Sequence, residues 1–138
     1  MGLKQISVFL ENNAGRLGEV TNVLASAGIN LRAISIADTT DFGILRLIVN
    51  KYDEAIKALN DAGFTTRISD VVALEIEDTP GSLARVMDLF RKTQVNIEYL
   101  YSSLEGETGK AVIIIKMGDH QAGHEIIRET GLRMVESF

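Results

Sequence analysis

The sequence repeats itself at a spacing of 66 residues, and this repeat limits the possible folds more than any other feature. Residues 6–49 align with residues 72–115 without a gap. A small insertion then changes the spacing to 68, which pairs Gly63 with Gly131 and Phe64 with Leu132. Seven aligned pairs are identical, and they lie at turns and apolar positions: Glu11/Glu77, Gly15/Gly81, Leu17/Leu83, Val20/Val86, Asn30/Asn96, Gly43/Gly109 and Ile48/Ile114. The chain is therefore predicted to contain two copies of one small unit.

Each copy shows the same order of elements, namely strand, helix, strand, strand, helix, strand. Alternating apolar residues predict strands, and apolar residues three and four apart predict helices. Asp38–Asp41 and Glu105–Gly109 have the composition of turns. In the first repeat the elements are expected at 6–10, 17–27, 29–37, 44–49, 52–62 and 64–68. In the second they are expected at 71–76, 83–90, 95–103, 111–117, 119–130 and 132–135.

This order predicts an α+β fold of two tandem ferredoxin-like βαββαβ units. We expect the first unit at residues 1–69 and the second at residues 70–138. A unit of this size is marginally stable alone, whereas two units side by side share a core. Joined at their edge strands, the units would form an eight-stranded antiparallel sheet with helices on one face.

Several predicted strands are apolar on both faces. Phe9 lies between Val8 and Leu10, and residues 113–115 are three consecutive isoleucines. Helices would cover only one face of such a sheet, and the other face would expose a large apolar surface. The pattern therefore predicts a homodimer formed through the sheet face.

The composition excludes several classes of protein. The chain of 138 residues contains no cysteine, which removes disulfides, thiolate metal sites and cysteine nucleophiles. A net charge of −5 without a basic run argues against nucleic acid as a partner. No apolar run is long enough for a membrane span, and the N-terminus lacks the features of a signal peptide. We expect a cytoplasmic protein that does not contact membranes.

The turn between the first strand and first helix of each repeat is the best candidate site. The two segments read ENNAGRLGEV and EDTPGSLARV. A helix N-terminus offers unpaired N–H groups, and a preceding glycine lets a ligand approach the backbone, which together suit a small carboxylate. Asn12 and Asp78 are candidates to accept from an amino group, and further contacts are expected from Asn13, Arg16, Thr79 and Ser82. The same residue types also suit a plain turn with a helix cap.

Asn30 and Asn96 are a second feature that the repeats share. Each follows the first helix and begins the second strand, in GINL and VNIE. An amide donates and accepts hydrogen bonds, which suits the backbone of an α-amino acid, although the same residue also closes a helix–strand turn.

These motifs resemble the ACT domain family. The segments are D-T-P-G-S-L followed by V-N-I, and N-N-A-G-R-L followed by G-I-N-L. The resemblance covers nearly the whole chain as a tandem pair without a catalytic domain. It implies a regulatory module of amino-acid metabolism that binds a free L-amino acid between paired modules. The first repeat departs from the family pattern with Asn12 and Ala14, so binding by one or both repeats stays open.

The predicted ligand-binding residues, taken from the loop chemistry and from what the resemblance implies, lie in the first loop, the first helix N-terminus and the second strand. In the first repeat they are Asn12, Asn13, Ala14, Gly15, Arg16, Leu17, Asn30 and Leu31. In the second repeat they are Asp78, Thr79, Pro80, Gly81, Ser82, Leu83, Asn96 and Ile97.

The sequence gives only weak support for a metal site or a catalytic site. His120 and His124 lie one helical turn apart, but no third metal ligand is close in sequence. No Ser-His-acid set is evident, so we expect no catalytic activity, metal or cofactor.

Two functions compete. The first is a regulatory protein that senses a free amino acid. The second is an interaction subunit that docks on an amino-acid-biosynthetic enzyme and has vestigial ligand sites. The departures in the first repeat favour the second function slightly.

Overall fold

The computed structural model describes residues 3–38, 41–104 and 108–137. Residues 39–40 and 105–107, which belong to the two predicted turns Asp38–Asp41 and Glu105–Gly109, lie outside the described residues. The described elements are, in chain order, β1 (Leu3–Glu11), α1 (Arg16–Ser26), β2 (Leu31–Asp38), β3 (Phe42–Val49), α2 (Tyr52–Asp61), β4 (Thr65–Glu77), α3 (Ser82–Arg91), β5 (Ile97–Ser102), β6 (Lys110–Met117), α4 (His120–Thr130) and β7 (Met134–Val135).

The chain divides into two units, a first unit at Lys4–Ser69 and a second unit at Asp70–Ser137. All four predicted helices are present, with ends within one residue of those expected. The fold is α+β, as the alternation of strand and helix periodicities predicts.

In the first unit, β3 lies between β1 and β2 and pairs with both in antiparallel fashion. Leu47 of β3 faces Ile6 on one side and Ile34 on the other. Because paired residues point to the same face of a sheet, these side chains form a continuous apolar surface. Helices α1 and α2 cover that surface with Val20, Leu24, Ala55 and Leu59, all buried in one core.

The second unit repeats this arrangement. Strand β6 lies between β4 and β5, again antiparallel, and β4 also pairs with the short β7. The core contains side chains from the strands and from α3 and α4: Val72, Leu74, Val86, Phe90, Ile113, Ile115, Met117 and Ile127.

The number of strands differs from the prediction. The described residues contain seven strands, not eight. The predicted strands at 64–68 and 71–76 are one strand, Thr65–Glu77, with Asp70 in its interior. A single polar residue does not end a strand, because backbone pairing does not depend on the side chain and Asp70 is only half-buried.

Some residues on the second face of the strands are buried in each unit. Ala33 and Ile48 alternate with helix-facing residues, and they are 0% and 2% exposed. In the second unit Ala73 and Ile114 are 1% and 0% exposed. Phe9, on the same face of the first unit, is 38% exposed. Burial of this face is therefore uneven, and the homodimer through the sheet face stays a prediction.

The longest helices, α1 and α4, contain 11 residues. In the described part of the chain, no helix has the length and apolar character needed to cross a membrane.

Gly123 gives a test of the second core. A Cβ on this buried residue of α4 would collide with the Sδ of Met117, which is itself fully buried. Gly123→Ala is expected to lower the free energy of unfolding by about 1–2 kcal/mol, measured by urea denaturation, because the cost of overpacking the core exceeds the gain of about 1 kcal/mol in helix propensity. The exposed Gln121→Ala, in the same helix, is the control and should change it by less than about 0.5 kcal/mol. Equal effects of the two substitutions would contradict this packing.

Candidate functional site

The first predicted loop is held by backbone hydrogen bonds. The Asn12 N–H donates to the carbonyl of Asp41 at 2.9 Å, which ties the end of β1 to the start of β3. The Asn13 side-chain amide donates to the Glu11 carboxylate at 3.1 Å. Ala14 follows in an exposed turn position. The loop therefore presents two adjacent asparagines at the start of α1.

Gly15 and Gly81 are the N-caps of α1 and α3 and have positive φ angles of 87° and 88°. Within the described residues, neither helix receives a side-chain hydrogen bond at this end, whereas Asp119 caps α4 by accepting from the N–H of Ala122 at 3.0 Å. The two glycines are thus required by the backbone conformation, which only glycine adopts readily. The backbone conformation therefore explains why both repeats carry this glycine, and no ligand is needed for that. The N–H groups beside the two glycines have no side-chain cap and are suited to an anion.

A cavity of about 170 Å³ lies beside this loop in the first unit, and we call it the first-unit cavity. It contains four predicted site residues, Asn12, Asn13, Arg16 and Leu17. The remaining lining residues were not predicted: Leu10, Glu11, Ile36 and Gly43.

The pairing register of the strands explains why the unpredicted residues line the cavity. Gly43 lies opposite Leu10 in the β1–β3 pair, so the missing side chain leaves space on the face that carries α1. Ile36 of the neighbouring strand β2 is 52% exposed and forms an apolar wall. The identity of Gly43 and Gly109 between the repeats was the one sequence signal that pointed to this position.

Arg16 already has partners within the first unit. Its guanidinium forms an ion pair with Glu19 at 2.6 Å and lies 4.6 Å from the centre of the Phe64 ring. Its buried Nε has no hydrogen-bond partner among the described residues. The guanidinium is therefore only partly satisfied, and both it and the uncapped N–H groups of α1 are candidates to receive a carboxylate.

The second loop has a different set of contacts. The Asp78 N–H donates to the carbonyl of Gly109 at 2.9 Å. The hydroxyls of Thr79 and Ser82 lie 2.9 Å apart, and Arg85 donates to the Ser82 hydroxyl at 3.2 Å. Pro80 is an exposed turn residue, while Leu83 packs against the core of the second unit.

Asn30 and Asn96 lie away from the loops of their own units. Each is at the far end of the first helix, and the 11 residues of α1 span roughly 16 Å. The backbone carbonyls of Asn30 and Asn96 accept from Asn50 and Gly118, at 3.3 Å and 2.9 Å. Both side chains are exposed. A single unit therefore does not bring the asparagine and the loop together.

Leu31 and Ile97, which were also predicted to bind ligand, pack against the two cores. Their main role in this structure is to anchor the second strand of each repeat.

The two histidines are neighbours on helix α4. The rings of His120 and His124 lie 5.9 Å apart. Among residues 3–38, 41–104 and 108–137, no group of three or more His, Cys, Asp or Glu side chains is placed to hold a metal ion.

The sequence and fold were compared with known proteins. A family model described as an ACT domain pair matches residues 1–137. Protein BT0572 from Bacteroides thetaiotaomicron is 42% identical, with a TM-score of 0.92, and the match covers 98% of this chain and 92% of that chain. No curated protein matches the sequence.

Two regulatory subunits of aspartate kinase share the fold at 19% identity. The subunit from Thermus thermophilus, in its ligand-free form, gives a TM-score of 0.69 with 95% of this chain and 94% of that chain covered. The subunit from Thermus flavus gives 0.64, with 91% and 88% covered.

The backbone role of Gly15 is tested by two alanine substitutions three residues apart. Gly15→Ala is expected to lower the free energy of unfolding by about 1–2 kcal/mol, because alanine disfavours the left-handed conformation. Gly18 lies inside α1, where no described atom is within 4 Å of a new Cβ. Gly18→Ala should therefore raise the free energy of unfolding by up to about 1 kcal/mol, because alanine favours the helix more than glycine does. Chemical denaturation measures both; a change of the same sign in the two variants would contradict the assigned backbone role.

Proposed function

Because this chain belongs to the ACT domain pair family, we propose that it is a regulatory protein that binds a free L-amino acid at the β1–α1 loops of its repeats. The observation that carries the proposal is the first-unit cavity, which joins four of the predicted loop residues to an uncapped helix N-terminus. We propose no catalytic role for the chain, and we place it in the cytoplasm.

The first-unit cavity offers a partner to each part of an amino acid. The N–H groups at the start of α1 suit the carboxylate, since the positive end of the helix dipole favours an anion there. The Glu11 carboxylate and the Asn12 carbonyl suit the ammonium group. Leu17 and Ile36, both more than 40% exposed, suit an apolar side chain. A volume of about 170 Å³ favours a small ligand.

The second loop is proposed as a related site with a different polar set. Asp78 provides a carboxylate where the first repeat has Asn12, and Ser82 stands where the first repeat has Arg16. Asn30 and Asn96 lie too far from the loop of their own unit to contact a ligand held there. They would contribute only to a ligand held by the loop of a paired ACT module.

The second candidate function is an interaction subunit of an amino-acid-biosynthetic enzyme. The observation that favours it is the internal pairing of Arg16 with Glu19 and Phe64, which engages part of a predicted ligand contact within the chain. Chemical cross-linking in cells followed by mass spectrometry tests this function, and repeated capture of one biosynthetic enzyme would support it.

Thermal-shift screening with each of the twenty L-amino acids tests the sensing function. At a concentration of 100 times the dissociation constant, a ligand adds about 2.7 kcal/mol to the free energy of unfolding, which gives a rise of several degrees in Tm. At least one amino acid should produce this rise. The absence of any stabilisation by all twenty would count against amino-acid sensing.

Gly43→Val locates the site within the first unit. The new Cβ meets Ile36 and Ala37 at ordinary contact distances of 3.6–3.7 Å, so the strand accepts a Cβ, and we expect the two methyl groups of valine to extend into the cavity. We expect ligand binding by the first unit to fall at least tenfold in calorimetry, with stability unchanged or raised. Ser35→Val, on the neighbouring strand β2 and outside the cavity lining, should leave the affinity unchanged.

A further inference from the structure

The second unit contains a larger cavity of about 390 Å³, which we call the second-unit cavity. It lies against β4, against the face of α3 that carries Ser82, Val86 and Leu89, and against the C-terminal end of α4. Its apolar part is formed by Ile76, Val86, Leu89 and Leu132. Its polar part is formed by Glu75, Glu77, Ser82, Arg85, Lys110 and Thr130.

Most of the charges around this cavity have partners of opposite sign. Glu77 forms an ion pair with Lys110, and Glu75 lies 3.5 Å from Arg133. Arg85 differs, because in the described part of the chain its guanidinium pairs with no carboxylate and donates only to the Ser82 hydroxyl. Arg85 is an exposed residue at the edge of the cavity, so its guanidinium is open to an anion from solution.

In the first repeat, the side chains at the corresponding positions contact one another. In the repeat alignment, Ser82 corresponds to Arg16, Arg85 to Glu19, and Leu132 to Phe64. Arg16, Glu19 and Phe64 form one cluster, in which the guanidinium pairs with the carboxylate at 2.6 Å and lies over the ring. The second unit keeps a guanidinium, but it has a smaller side chain in place of the ring, and the position that matches Glu19 carries no carboxylate.

We propose that the second-unit cavity binds a small aliphatic carboxylate. The carboxylate pairs with Arg85 beside the Ser82 hydroxyl, and the aliphatic part lies on Val86, Leu89 and Leu132. The ligand thereby supplies the two groups that Glu19 and Phe64 supply in the first unit. This site is separate from the first-unit cavity, but it shares Ser82 with the second-loop site proposed above and therefore rests in part on that proposal.

Calorimetric titration of the full chain with four related probes tests the ligand class. L-leucine, 4-methyl-2-oxopentanoate and 4-methylpentanoate share a branched aliphatic chain and a carboxylate, while isopentylamine keeps the chain without the carboxylate. We expect at least one of the carboxylates to bind and the amine not to bind. Binding of L-leucine alone would identify an amino acid as the source of the carboxylate, and binding of the other two would identify an oxo acid or a simple acid.

Two variants assign the binding to this cavity. Arg85→Met keeps the aliphatic stem of the side chain and should weaken binding roughly tenfold or more, since the charged hydrogen bonds are lost. The triple variant Ser82→Arg, Arg85→Glu, Leu132→Phe copies the cluster of the first unit and should abolish binding while the chain stays folded. Arg91→Met is the matched control, because Arg91 is an exposed arginine of the same helix outside the cavity.

The outcomes separate this site from the loop site. Loss of binding in Arg85→Met but not in Gly43→Val supports the second-unit cavity, whatever the fate of the first-unit site. No binding of any carboxylate probe, or binding that Arg85→Met leaves unchanged, would overturn the proposal. Loss in Gly43→Val alone would place the ligand in the first-unit cavity and overturn it as well.

Discussion

Each repeat depends on one glycine in a left-handed conformation between its first strand and its first helix. A positive φ at Gly15 and Gly81 turns the chain from the strand into the helix within four residues. That turn places the apolar stripe of the helix over the apolar face of the sheet, where Val20 and Val86 are buried. It also leaves the helix N-terminus without a side-chain cap. The same backbone constraint therefore sets both the core packing and the opening at which a ligand is proposed to bind.

Regular elements were predictable because their patterns are local. Helices α1 to α4 were located within one residue from apolar spacing and the glycines that follow three of them. The strand count was not predictable, because the interruption at Asp70 resembles a linker in sequence while the backbone continues as one strand. The burial of Ala33 and Ile48 was also missed, since a pattern of apolar residues on both faces does not say what covers the second face.

The candidate sites were only half predictable. Loop residues such as Asn12 and Arg16 were found because both repeats carry related turn motifs. Ile36 and Gly43 were missed because strand register, a long-range property, brings them to the loop. Arg85 was missed because it lies at a position where the two repeats differ, and the repeat comparison highlighted identities. The differences between the repeats prove as informative as the identities, since they separate a filled cluster in the first unit from an open cavity in the second.

The central claim is that the first loop binds an amino acid. The most direct measurement is a residue-resolved NMR titration of the isotope-labelled chain with each of the twenty L-amino acids. At least one of them is predicted to shift the backbone amide signals of residues 12–17 together with those of Ile36 and Gly43, in a saturable manner. If none of the twenty shifts these signals at millimolar concentration, or if saturable shifts occur only elsewhere in the chain, the account of the first-unit site is contradicted.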